Sequence, residues 1–259
     1  VSMPALGPDQ PPMLPSDLDG KESPGAGAPN SYVLFPSSGK YNLYHFHVDF
    51  VNPLNSTFTL FASPDAAPFT LLCPGNRNCV PQGRANAENR LDATGDRPMF
   101  RLAYRKFRDA HESLVGTYTV SSRGVAGIRW FELRGVTAGP VTVFQESTYQ
   151  PDRNWRWLGS AAMDKFGNLA IGFSTSGFYI FPQIRYAGRL ATDPLNTLGQ
   201  GEAHLFDGTG SQLETGSRWG DYSDLTVDPV DDRTFYYTNE YYDTTNTFDW
   251  RTRIGSFRF

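Results

Sequence analysis

The sequence predicts an all-β fold, a β-propeller of four repeat units with three to four strands each. Three observations carry that expectation. Aromatics make up 14% of the 259 residues, and 25 Gly with 19 Pro punctuate the chain, the mixture that suits pleated strands joined by turns. No long stretch places apolar residues at i, i+3, i+4 and i+7, so no amphipathic helix competes. The chain also repeats itself. Arg156-Trp157 recurs 62 residues later as Arg218-Trp219, and each pair leads through a turn into a second strand. A regular period of this kind marks arrays of supersecondary units.

The units follow in order. The first, about 13–80, has strands near 13–19, 31–35, 42–48 and 56–60. The second, about 81–150, has them near 95–101, 113–118, 127–131 and 141–144. The third, about 151–213, has them near 156–164, 169–173, 183–186 and 202–206. The fourth, about 214–259, has three, near 218–228, 234–237 and 251–254. A β-sandwich with coincidental aromatic repeats is the alternative. Four units could close a four-bladed ring. They could equally be the C-terminal part of a larger ring completed by a second polypeptide, because an open arc exposes strand edges and apolar faces.

Charge narrows the partners. The net charge is −4 with no Lys/Arg block, which argues against a nucleic-acid partner. No apolar run reaches 18 residues, so no membrane span is expected. The start, Val1-Ser2-Met3-Pro4-Ala5, lacks the regions of a signal peptide and reads as a processed or internal terminus. Cys73 and Cys79 flank a five-residue loop containing Pro-Gly and two Asn, which reads as a disulfide. A metal site would need two more ligands at a familiar spacing. A disulfide implies an oxidising compartment, hence a secreted or cell-surface protein. Asn55-Ser56-Thr57 is a glycosylation sequon.

Residues 154–164, with Ile184-Arg185-Tyr186-Ala187-Gly188-Arg189-Leu190, Arg218-Trp219-Gly220-Asp221-Tyr222-Ser223 and Arg251-Thr252-Arg253-Ile254-Gly255-Ser256-Phe257, resemble bacterial secreted β-propeller proteins loosely labelled sialidase-like. Ser16-Asp17-Leu18-Asp19-Gly20 and Phe46-His47-Val48-Asp49-Phe50 extend the resemblance to the first half. It implies export and a propeller, with members longer at the N-terminus, and carries no activity across. Asp164-Lys165-Phe166-Gly167-Asn168 keeps the Asp-x-x-Gly turn of an Asp-box but lacks its Thr-Trp, so it supports blades and no chemistry.

Three sets of residues are candidates for chemistry. Arg129, Arg185 and Arg253 hold similar places in third strands and could clamp a carboxylate, since a guanidinium pairs with it bidentately. Ion pairing between blades is the simpler account. Asp17, Asp19, Asp96, Asp221 and Asp224 fall near first strands, where acids could converge on the axis to hold Ca²⁺ or act as acid and base. Each Asp accepting hydrogen bonds in its own turn is the bland reading. Glu240-Tyr241 could stabilise a sugar cation, although aromatic density explains it too. The function expected from these is a secreted module that binds a protein or glycan partner. The alternative is a carbohydrate-active enzyme, a sialidase-like glycosidase or polysaccharide lyase, with acids at the channel mouth. Two carboxylates facing one another at roughly 5–10 Å would favour hydrolysis.

Overall fold

The computed structural model describes residues 7, 10–83, 88–213 and 217–259. Among these the regular structure is all β apart from 3-10 turns at Pro53–Asn55 and at Ser217. The expectation about Val1 and the unit boundary at residue 214 lie outside the described residues.

Hydrogen bonding sorts the strands into meanders taken in chain order. β1 (Met13–Asp19), β2 (Asn30–Leu34), β3 (Leu43–His47) and β4 (Thr57–Ala62) form the first. A two-stranded ladder, β5 (Asn78–Val80) with β6 (Leu91–Asp92), follows and straddles the boundary expected at residue 80. β7 (Pro98–Lys106), β8 (Glu112–Ser122), β9 (Val125–Arg134) and β10 (Thr142–Tyr149) form the second. β11 (Trp155–Met163), β12 (Leu169–Ser176), β13 (Gln183–Arg189) and β14 (Glu202–Asp207) form the third. β15 (Asp224–Val227), β16 (Phe235–Tyr241) and β17 (Arg251–Phe257) form the last. Parallel pairing of β1 with β7, from Ser16↔Leu102 to Asp19↔Arg105, joins the first two into one eight-stranded sheet. The Cys73–Cys79 disulfide closes the loop before β5.

The meanders stack face to face, and the core lies between them. Val33, Leu43, Leu102, Tyr118 and Phe131 fill the space between the first and second. Val115, Ile128 and Trp130 meet Met163, Ile171 and Phe173 between the second and third. Ala170 and Ile184 meet Leu225, Phe235 and Tyr237 between the third and last. Strands covered on both faces lose the two-residue alternation: every residue of β11 and β12 is buried. β16 is covered on one face only and alternates. Among the described residues no apolar cluster joins the last meander to the first.

The Arg-Trp repeat is real in space but out of register. Trp157 lies within β11, opposite Ser174 of β12. Trp219 precedes β15, which starts only at Asp224, and donates its indole N–H to the Ser174 hydroxyl at 3.1 Å. The two rings lie 6.1 Å apart in one cluster. The recurring Trp therefore marks a shared core contact and not a shared strand position.

The Asp164–Asn168 turn is structural, as its sequence suggests. The buried Asp164 carboxylate accepts from Phe166 N–H (2.8 Å), Asn168 N–H (3.0 Å) and Asn168 Nδ2 (2.8 Å), while Gly167 takes φ +82°. Asp164→Ala strands three donors and should cost about 2 kcal/mol. A lowered urea midpoint at unchanged slope is the expected readout. A shift worth less than about 0.5 kcal/mol would show that the glycine alone holds the turn.

Candidate active site on the open face of the last sheet

Alternation along β16 splits its side chains between two environments. Phe235, Tyr237, Asn239 and Tyr241 are buried towards the third meander, whereas Tyr236, Thr238 and Glu240 turn the other way. Asp224 pairs with Thr238 across β15–β16, and Thr252 and Ile254 pair with Glu240 and Thr238 across β16–β17. Asp224 and Glu240 are thus diagonal neighbours on one face, a relation that sets residues about 7–8 Å apart. No apolar cluster of the described residues covers this face, and Tyr236 (39%) and Ile254 (71%) are exposed on it.

The two carboxyls sit in different surroundings. Burial pushes Glu240 up to about 7, with a smaller opposing pull from the Gly220 N–H, which donates to Oε2 at 2.7 Å. Burial also raises Asp224, but the Arg101 guanidinium beside it opposes the rise, while Asp17 and Asp19 reinforce it. Asp224 Oδ1 is buried with no hydrogen-bond partner among the described residues.

Arg101 organises the meeting point of three first strands. From β7 it donates through Nε to Asp17 Oδ2 (2.9 Å), through both terminal nitrogens to Asp19 (3.0 and 2.7 Å), and to the Leu225 carbonyl of β15 (3.4 Å). The side chain is 4% exposed and that of Asp19 8%. Three of the five acids expected on the axis, Asp17, Asp19 and Asp224, therefore converge, and the positive charge they face is a guanidinium. Asp96 does not join them. It pairs with Arg97 (2.8 Å) and Arg77 (3.4 Å) ahead of β7. Asp221 pairs with Arg218 ahead of β15. Strand register separates them, since Asp17 and Asp19 end β1 whereas Asp96 and Asp221 precede their strands. Among the described residues no group of three or more His, Cys, Asp or Glu is arranged to hold a metal ion.

The arginine trio is not brought together either. Arg129 donates to the Thr148 hydroxyl (2.8 Å) and the Pro68 carbonyl (3.1 Å). Arg185 pairs with Glu202 (2.5 Å). Arg253 lies over the Phe206 ring (4.1 Å) and the Tyr241 ring (5.7 Å). The three occupy different sheets and share none of these partners. Glu240 and Tyr241 part company as strand neighbours must: Tyr241 is core and Glu240 faces outward.

Sequence reasoning named Asp224 and Glu240 but placed them in different sets, and it missed Arg101 and Arg105. Their spacing of four residues was the available signal. On a strand it puts both on one side, here the side shared with Asp17 and Asp19 through Asp17↔Ala103 and Asp19↔Arg105.

No protein-family model and no curated protein matches the sequence. Among solved structures, a GH43 endo-arabinanase from Bacillus licheniformis is similar at 13% identity and a TM-score of 0.39, over 94% of this chain and 70% of that one. An α-L-arabinofuranosidase from Podospora anserina in complex with cellotriose is similar at 12% identity and a TM-score of 0.29, over 96% and 98%. Superpositions this loose carry neither neighbour's activity to this chain, so the site must be read from its own residues.

Proposed function

We propose that the chain is a secreted carbohydrate-active enzyme of the glycosidase type, built on a propeller whose units are the four meanders. The observation that carries this is the Asp224–Glu240 pair: two partly buried carboxyls on residues that are diagonal neighbours on one face of the last sheet, in environments that differ. Glu240, protonated near neutrality, donates its proton to the glycosidic oxygen as the bond from the anomeric carbon breaks. Asp224, which burial raises against the opposing pull of Arg101, acts as the base and takes a proton from the water that adds to that carbon. The mechanism proposed is inverting, which needs about 6.5–9.5 Å between the two carboxyl groups to leave room for that water. The disulfide suits an oxidising compartment.

The test is incubation with a panel of neutral and acidic polysaccharides, following new reducing ends and the first-formed anomer by NMR. Reducing ends of inverted configuration are expected. No cleavage of any member, or an unsaturated product signalling a lyase, would overturn the reading.

A second reading, an assembly module, is favoured by the other open face. Tyr32, Tyr44, Phe46 and Phe58 pack ring on ring on the first meander and stay partly exposed, and β17 is an edge strand among the described residues. A partner sheet seated between the first and last meanders would cover both. Native mass spectrometry of the isolated material decides this. A second polypeptide above the 28.9 kDa of this chain supports the module, and a lone chain counts against it.

A further inference from the structure

The turn that follows the first strand of every meander reaches one place. Lys21 and Glu22 follow β1, Phe107 and His111 follow β7, Lys165 and Phe166 follow β11, and Asp231 and Asp232 follow β15. Together they line a cavity of about 650 Å³, within the roughly 300–1,000 Å³ of small-ligand sites. It is not at Glu240. Glu240 lies beyond the end where β15 begins, and Asp231 follows the end where β15 stops.

Arg105 and Asp232 form one wall, bonded bidentately at 3.0 and 2.6 Å. The wall is fitted closely, for a Cβ on Gly20 would lie 2.5 Å from the guanidinium. The other carboxylates of the cavity are also committed. Asp231 accepts from Arg233 N–H, Thr234 N–H and the Thr234 hydroxyl, which holds it down to about 2. Asp109 is bonded to His111. Glu22 lies 3.6 Å from Arg108.

Two ammonium groups are left facing neutral partners. Lys21 Nζ donates to the Val230 carbonyl (3.3 Å) and Lys165 Nζ to the next carbonyl, Asp231 (2.7 Å). They reach adjacent peptide groups from different meanders, and each has donors to spare. Beside them the Phe166 ring is 56% exposed, and Lys165 lies 5.3 Å from its centroid. Lys165 also acts through its charge on the Asp231 carboxylate, but neither lysine forms a close ion pair among the described residues. An apolar ring next to two such cations fits the two faces of an acidic sugar, its C–H surface and its carboxylate.

We propose that this cavity is a second saccharide site, taking a uronic-acid unit by its carboxylate between Lys21 and Lys165 with the ring on Phe166. The site shares its ligand class with the function proposed above but none of its residues, so the two can fail separately. Titration calorimetry with a tetragalacturonate and its carboxyl-reduced counterpart tests it. The acid should bind at least tenfold more tightly than the reduced form. Lys21→Gln with Lys165→Gln should lose at least tenfold with the melting temperature unchanged, and Phe166→Ala should weaken both ligands. Glu240→Gln should bind as the parent does. Equal affinity for both ligands, no binding of the acid, or an unaffected double lysine variant would overturn the site. So would loss of binding in Glu240→Gln alone, which would put the acid on the open face of the last sheet.

Discussion

Glu240→Gln is expected to lower glycoside cleavage by roughly a hundredfold or more, the range of a removed general acid. The substitution keeps shape and the Gly220 hydrogen bond but supplies no proton. Asp224→Asn should do comparable damage by removing the base. The pH dependence separates the two roles. The parent should lose activity as pH rises through about 7, where Glu240 ionises. Stability gives an independent check, with its sign fixed by linkage. Glu240 holds its proton to about 7 when folded and releases it near 4.5 when unfolded, so the folded state binds more protons between those values. The parent should therefore lose stability as pH rises through that window. Glu240→Gln should be free of the loss and become the more stable protein at pH 8, by about 2 kcal/mol after allowing for solvent at its open edge. Parallel stability profiles would mean the carboxyl is not held protonated, and the proposed acid would fail with it.

Arg101→Met should be the most destabilising single change where β1, β7 and β15 meet, by about 3–5 kcal/mol. It removes a buried guanidinium and leaves Asp19, buried on β1, without its partner. The reason is asymmetry: an ion pair adds little net stability, but one charge left alone keeps its whole desolvation cost. The loss should be greatest at neutral pH and shrink in acid. Without the guanidinium the folded state favours protonated Asp19 still more strongly, so stability falls as pH rises. Adding Asp19→Asn should recover part of it. A melting temperature that moves by only a degree or two, or a double variant no better than the single, would show that the convergence at Arg101 bears no strain of charge.

Much of the architecture was legible residue by residue. Strands appear where aromatic and β-branched runs lie between Gly, Pro and Asp turns, from Met13–Asp19 to Arg251–Phe257. The turn at Asp164 and the Cys73–Cys79 bridge are local events, fixed by residues at most a few positions apart. Short-range sterics and hydrogen bonds suffice for these, and they depend on little else. The site was only half visible. Asp17, Asp19, Asp224 and Glu240 stood out as acids, but their grouping did not, because it depends on register. A one-residue slip of β15 against β16 would turn Asp224 to the other face and undo its pairing with Glu240.

The sequence by itself determined the all-β class, the order of the strands, the turn residues and the disulfide, since each follows from the conformations its own residues allow. The tertiary structure alone decided which carboxylates meet, that Arg101 stands between β1 and β15, and that the arginines of three third strands stay apart. It also decided that Lys21 and Lys165 reach neighbouring carbonyls from turns 144 positions apart in the chain (165 − 21). These are consequences of how sheets stack. Stacking is set by packed faces such as Met163 and Phe173 against Trp130, so contacts between the first strands of different meanders follow from volumes filled far from them.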